Sequence, residues 1–221
     1  MLMKIESSRE TKLTTIAVSG FSSNAGKTTL VCELLRAFPG WEAIKMTRGH
    51  YRSCGKDPHA CCVSHLLRDE PVIRSGRAET YTQGKDTGRY WDAGAANVHW
   101  AIVTDGQVEQ GIRAALARVS AGGVFIEGTS FVNYLDVDLM LMCARASGGK
   151  IKSSARRMMK RASALYLYDE TDDDAATRAR FATWLADSGE RELATDIPLY
   201  TRAELPQLID RIDAIHSPVS A

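Results

Sequence analysis

Residues 15–30 read Thr15-Ile16-Ala17-Val18-Ser19-Gly20-Phe21-Ser22-Ser23-Asn24-Ala25-Gly26-Lys27-Thr28-Thr29-Leu30. The opening run is β-branched and apolar, as a buried strand requires. Leu30, Leu34, Leu35 and Phe38 then recur at helical spacing, and Pro39-Gly40 stops the helix. Between strand and helix lies a glycine-bounded loop ending in Lys-Thr. That order is the setting of a phosphate-binding loop, in which backbone N–H groups and the helix N-terminus face phosphate oxygens. Gly20, Ser22, Ser23, Asn24, Ala25, Gly26, Lys27, Thr28 and Thr29 are therefore the candidate phosphate cradle. Lys27 is expected to reach the terminal phosphates, and the Thr28 hydroxyl to hold Mg²⁺. Gly20 and Gly26 are separated by five residues, one more than in the common form of the loop.

Outward from this loop the chain alternates strand and helix. Trp41–Met46 reads as a strand, and 47–90 shows little helical periodicity. Asn97–Thr104 is a strand, followed by a helix carrying Val108, Ile112, Leu116 and Val119 on one face. Gly123–Gly128 is an apolar strand ending in a carboxylate, and 137–142 is open between strand and helix. Ser153–Ala162 reads as helix, Ala164–Asp169 as strand and Thr177–Asp187 as helix. Ile197–Tyr200 is a short strand, and the last helix aligns Leu205, Leu208, Ile209 and Ile212. Such alternation predicts an α/β fold with a mainly parallel sheet and helices on both faces. Ligands in these sheets sit at the carboxyl ends of the strands, where the loop and Glu127 would meet.

Composition narrows the class. The 221 residues carry 44% hydrophobic residues, enough for a sizeable core, and 28 basic against 27 acidic residues. That balance gives no general electrostatic footprint for nucleic acid or an anionic membrane, so neither is an expected partner. No apolar run approaches the length of a bilayer-spanning helix, and Met1–Leu13 lacks the apolar centre of a signal peptide. A cytoplasmic protein of one domain over 1–221 is expected, with an insertion at about 49–83.

The insertion holds most of the cysteine. Cys54, His59, Cys61, Cys62 and His65 fall within twelve residues, with His50 just upstream, while Cys32 and Cys143 stand apart. Thiolates and imidazoles at short intervals suit Zn²⁺ or an iron–sulfur centre, and a metal would order a loop that has no core of its own. The other reading is one or two buried thiols, with His65 beside Leu66 and Leu67.

Glu127 is the second candidate at the nucleotide site, holding Mg²⁺ through water or polarising an attacking group; the plainer reading is a carboxylate that caps a turn. Lys85, Asp86 and Arg89, in Gly84-Lys85-Asp86-Thr87-Gly88-Arg89, could bind an anionic substrate or nucleotide. Alternatively, Asp86 or Thr87 simply caps a helix. Gly148–Arg157 is a basic loop running into a helix, open between phosphate binding and a solvated face. Asp169–Asp174 is read as solvated, its acids favouring a helix N-terminus.

Three stretches together resemble the molybdopterin-guanine dinucleotide biosynthesis protein B family of GTP-binding P-loop proteins. They are the Gly20–Thr29 loop, the strand end Ile44-Lys45-Met46-Thr47-Arg48-Gly49-His50, and Gly84-Lys85-Asp86-Thr87-Gly88-Arg89 followed by Asp92-Ala93-Gly94-Ala95. The resemblance covers about residues 14–130. Met46 stands where that family usually has His, and the Cys/His insertion is not part of its ordinary pattern. The longer loop is similar to that of dethiobiotin synthetase, a related ATP-using enzyme. The resemblance implies a three-layer P-loop NTPase fold, GTP or ATP with Mg²⁺ as ligands, and a homodimer. It also implies a small molecule or a cofactor-biosynthesis protein as partner. Lys27 and Glu127 are then the catalytic candidates. The rival expectations are an ATP-dependent small-molecule synthetase or kinase, and a metal-binding protein regulated by nucleotide.

Overall fold

The computed structural model describes residues 12–50, 63–169, 173–194 and 196–217. Among these residues eight strands form one sheet in the order β3-β4-β2-β5-β1-β6-β7-β8. The strands are β1 (Thr14–Gly20), β2 (Glu42–Arg48), β3 (Val72–Ser75), β4 (Val98–Val103), β5 (Gly123–Glu127), β6 (Leu139–Arg145), β7 (Ala164–Tyr168) and β8 (Leu199–Tyr200). The helices are α1 (Lys27–Ala37), α2 (Arg77–Thr80), α3 (Asp86–Asp92), α4 (Val108–Leu116), α5 (Ser153–Met158), α6 (Asp174–Asp187) and α7 (Leu205–His216).

The central strands are apolar on both faces because both faces are covered. On β1, Ile16 and Val18 join a core with Leu30 and Leu34 of α1, Tyr90 of α3 and Leu208 and Ile212 of α7. Ala17, between them, points into the opposite core with Ile112 of α4, Met158 of α5 and Phe181 of α6. Strand β6 alternates in the same way: Leu139, Leu141 and Cys143 face α1, and Met140, Met142 and Ala144 face α6. The result is a three-layer α/β fold, as the alternation predicts. Residues 137–142, open between two readings, lie largely in strand β6.

Inside the stretch 47–90, which lacks a helical period, the described residues include a short strand and two short helices. Strand β3 pairs antiparallel with β4, with Val72 opposite Ile102 and Ser75 opposite His99, and α2 and α3 follow it. All other strand pairs are parallel. Strand β3 has only four residues, all half-buried, so it presents neither a long alternation nor an apolar run to the reader of the sequence.

A buried polar chain fastens this edge at the amino ends of the strands. Glu42 accepts from Ser120 N at 3.0 Å, Ser120 Oγ at 2.8 Å and Ala121 N at 3.0 Å. His99 Nε2 lies 2.7 Å from the other Glu42 oxygen, and His99 Nδ1 lies 2.8 Å from Ser75 Oγ. Burial works against the ionised carboxyl, but the bonds from His99 and Ser120 outweigh it and hold Glu42 below the usual carboxylate range. A depressed folded-state value means that the contribution is fully present above the unfolded value of about 4.5 and is lost as pH falls through the folded one. Glu42→Gln is therefore expected to lower unfolding free energy by about 1–3 kcal/mol at neutral pH. In urea melts the gap from the unmodified protein should narrow on acidification. A gap independent of pH would contradict the assignment.

Candidate functional site

The carboxyl ends of β2, β5, β1, β6 and β7 open into one cleft of about 640 Å³, within the roughly 300–1,000 Å³ usual for small-molecule sites. Five adjacent strands spaced about 4.8 Å apart make it roughly 19 Å wide. Among the described residues its walls carry six basic side chains (Lys27, Lys45, Arg48, Arg89, Arg145 and Lys152) against two acidic ones, Asp86 and Glu127. The chain as a whole is near neutral, so this concentration of positive charge is a property of the cleft.

Its floor is the loop from Gly20 to Thr29. Gly26 stands just before α1 with φ of 85°, a left-handed conformation that favours glycine, and a Cβ there would lie 2.5 Å from the Cβ and Cγ of Tyr168. No side chain caps α1 and its first turn holds no acid. Gly26, Lys27, Thr28 and Thr29, the start of the helix, line the cleft. A helix N-terminus whose own first turn supplies no acid can take an anion from outside the helix.

Lys27 Nζ donates to the Ser22 carbonyl at 2.8 Å and the Ser23 carbonyl at 3.1 Å. Burial pushes its pKa below the ordinary lysine value, against the pull of Glu127. Thr29 Oγ1 accepts from Arg89 at 3.2 Å, the Asn24 carbonyl accepts from Arg145 at 3.1 Å, and Ser23 Oγ accepts from Lys152 at 2.8 Å. Ala25 is buried in the core facing α1, where it shapes the loop from beneath.

The second part is an acidic pair beside the loop. Along β5, Val124 and Ile126 face the α4 side, so Phe125 and Glu127 turn to the α1 side. On β2, Ile44 faces α4 and Ala43 faces α1, which turns Lys45 toward α1 as well. Parallel register sets Lys45 opposite Glu127, and Lys45 Nζ lies 2.5 Å from Glu127 Oε1. On α3, Asp86 and Tyr90 are four residues apart and so share a helix face. Asp86 Oδ2 lies 2.5 Å from Lys45 Nζ, and Tyr90 Oη donates to Glu127 Oε2. Thr28 Oγ1 donates to the same oxygen at 2.8 Å.

Electrostatics follow from this packing. Burial alone would depress Lys45, but Glu127 and Asp86 outweigh it and hold its pKa above the ordinary value. Burial opposes ionisation of Asp86 too, and Lys45 outweighs it, so that carboxyl stays below its usual range. Burial and the neighbouring Glu127 push Tyr90 well above a normal phenol, which keeps it a donor. Thr28, Asp86 and Glu127 thus bring a hydroxyl and two carboxylates together, a hard-oxygen set of the type that Mg²⁺ takes.

The structure brings most sequence-derived candidates to this cleft and leaves others outside. Gly20, Ser22 and Ser23 build the loop, Asp86 and Arg89 reach the cleft from α3, and Lys85 is exposed outside its lining. Neither Asp86 nor Thr87 caps a helix: α3 starts after Lys85 with no side-chain cap, Asp86 binds Lys45, and Thr87 donates to the Thr80 carbonyl. Of the basic loop, Lys152 belongs to the cleft, whereas Arg156 pairs with Glu190. Asp173 caps α6 by accepting from Ala176 N at 2.9 Å.

Cys54, His59, Cys61 and Cys62 lie outside the described residues. His65 is exposed in a short 3-10 turn, Ser64–Leu66, and among the described residues no cluster of three or more His, Cys, Asp or Glu side chains is arranged to hold a metal. Cys32 and Cys143 are buried free thiols, pushed up to about 11 and about 12 by burial. No helix among the described residues is long and apolar enough to cross a membrane.

Sequence reasoning missed Lys45, Tyr90, Arg145 and Tyr168 as site residues. Lys45 carried a signal, a cation set between the apolar Ile44 and Met46 of a strand. The others carried none, because their roles depend on which strands become neighbours.

No protein-family model matches this sequence, and no curated protein matches it. Among solved structures, the chain is similar to LpxK from Aquifex aeolicus in complex with ATP, with a TM-score of 0.49 and 18% identity over 86% of this chain and 53% of that one. It is also similar to the signal recognition particle receptor FtsY from Elizabethkingia anophelis, with a TM-score of 0.43 and 12% identity over 92% and 65% of the two chains. An ATP complex of McdA from Cyanothece matches with a TM-score of 0.38 and 11% identity over 90% and 88%. The chain spans about half the length of the LpxK structure and 65% of that of FtsY.

Proposed function

We propose that this protein binds a nucleoside triphosphate with Mg²⁺ and transfers its terminal phosphoryl group. The observation that carries this reading is the meeting of Lys27 and Thr28, at the start of α1, with Glu127 and Asp86 from two other elements. Lys27 and the amides of 26–29 would hold the phosphates, and Thr28, Asp86 and Glu127 would hold the metal. A Mg²⁺ ion held by these residues would supply charge neutralisation for the transferring phosphoryl group. Arg89, Arg145 and Lys152 add positive charge around the polyphosphate, and Tyr168 covers the loop at Gly26.

The molybdenum-cofactor assembly reading, with GTP, keeps the support of the motif Gly84–Arg89, two of whose residues, Asp86 and Arg89, line the cleft. A specific feature favours the rival, transfer to a small molecule. Glu127 accepts from Thr28 and Tyr90, and both Glu127 and Asp86 are engaged either by Lys45 or, on this reading, by Mg²⁺, so neither carboxylate is well placed to take a proton from water. An acceptor whose oxygen is already anionic needs no such base. The cleft continues past Glu127 to Thr47 and Arg48, where an anionic acceptor would lie beyond the terminal phosphate.

Calorimetry with ATP and GTP, with and without Mg²⁺, tests the nucleotide site. Metal-dependent binding of at least one of them is expected, together with slow turnover without an acceptor, on the order of 10⁻⁴–10⁻² s⁻¹. Failure of both nucleotides to bind would remove the proposal. Fast unassisted hydrolysis would return the reading to a simple triphosphatase.

A further inference from the structure

Lys45 occupies a position that a metal ion would also claim. Its Nζ lies 2.5 Å from Glu127 Oε1 and 2.5 Å from Asp86 Oδ2. These oxygens belong to the set that, with Thr28, fits Mg²⁺. A cationic ammonium and a divalent cation compete for the same two carboxylates at such distances, because like charges a few ångströms apart repel and both would need the same oxygens. Either the ammonium stays or the metal enters.

The two oxygens of Glu127 differ in how they are held. Oε2 takes hydrogen bonds from Thr28 and from Tyr90, whose ring is fully buried in the core. Oε1 takes its bond from Lys45, a point charge on a flexible four-carbon stem. The fixed donors keep the carboxylate aimed while the mobile one can leave. Lys45 lines the same cleft as Lys27, Thr28 and Thr29, so phosphate oxygens seated on the loop lie on the side to which the ammonium would swing.

We infer that Lys45 is a cation gate: it holds Glu127 and Asp86 against free divalent metal and yields them when a triphosphate offers anionic oxygens in exchange. This rests on the reading of the cleft as a metal–triphosphate site. Metal and nucleotide then enter together, and each raises the other's affinity by the same factor, as linkage requires. The bare protein does not hold metal that could recruit unrelated anions into the cleft.

The test is a titration of the full chain with Mn²⁺ and no nucleotide, following the free ion by electron paramagnetic resonance. The unmodified protein is expected to bind weakly at this site, and Lys45→Met to bind one Mn²⁺ at least tenfold more tightly. Lys45→Gln retains a donor for Glu127 and serves where the methionine variant fails to fold, with circular dichroism as the check on both. Adding Asp86→Asn to Lys45→Gln should abolish the gain, which locates it in this cleft. Equal Mn²⁺ affinity in the unmodified protein and both Lys45 variants would overturn the inference. Nucleotide binding is measured separately: its failure beside an intact Mn²⁺ effect would remove the triphosphate reading and leave the exclusion of free metal standing.

Discussion

Lys27→Ala is expected to lower affinity for ATP or GTP by about 100-fold or more, with the fold unchanged. The ammonium now donates to the carbonyls of Ser22 and Ser23, which shape the rim of the loop. A triphosphate offers it charged acceptors in place of neutral ones, and a hydrogen bond to a charged group contributes about 1.5–3 kcal/mol. About 2.7 kcal/mol corresponds to 100-fold. Burial holds the Lys27 pKa below the ordinary lysine value, so affinity should begin to fall at lower alkaline pH than a surface lysine would dictate. Arginine is not expected to restore binding. A Cβ on Gly20 would lie 3.0 Å from Lys27 Cγ, so the stem runs close along the loop, with little room for a planar guanidinium. Calorimetry reads the effect directly, and an unchanged affinity in the alanine variant would remove the loop from the binding site.

The second large effect is on stability. Glu127→Leu is expected to cost about 3–5 kcal/mol, because breaking a buried ion pair strands its partner. Glu127 is 2% exposed, and its loss leaves the Lys45 ammonium with Asp86 alone and the Tyr90 hydroxyl, in a fully buried residue, without its acceptor. Glu127→Gln keeps an oxygen for Tyr90 and Thr28 and should lose clearly less. Urea denaturation separates the two variants. Equal losses would mean that size rather than the polar network sets the stability at this position. A loss below about 1 kcal/mol in the leucine variant would show that the network contributes little to the native state.

These two residues also show how far the sequence reaches. Lys27 was legible because its whole context is local: strand, loop and helix start lie within sixteen consecutive residues, and hydrophobic period together with glycine placement identifies each part. Glu127 was legible for a similar reason, a carboxylate ending an apolar run of strand length. The metal-ligand reading of Cys54, His59, Cys61, Cys62 and His65 stands differently. Four of the five lie outside the described residues, and His65 is exposed on its turn. Strand β3 was hidden because a four-residue edge strand that is half-buried at every position leaves no period to detect.

The sequence by itself determined the alternating α/β architecture, the glycine-bounded loop between strand and helix, and the two carboxylate-bearing segments, since each is written in short-range pattern. Only the tertiary structure decided what those segments do together. Register between β2 and β5 put Lys45 against Glu127, and the packing of α3 on the sheet brought Asp86 and Tyr90 to the same point. Such partners lie tens of residues apart. Their meeting is set by strand order and helix packing, which no local periodicity encodes.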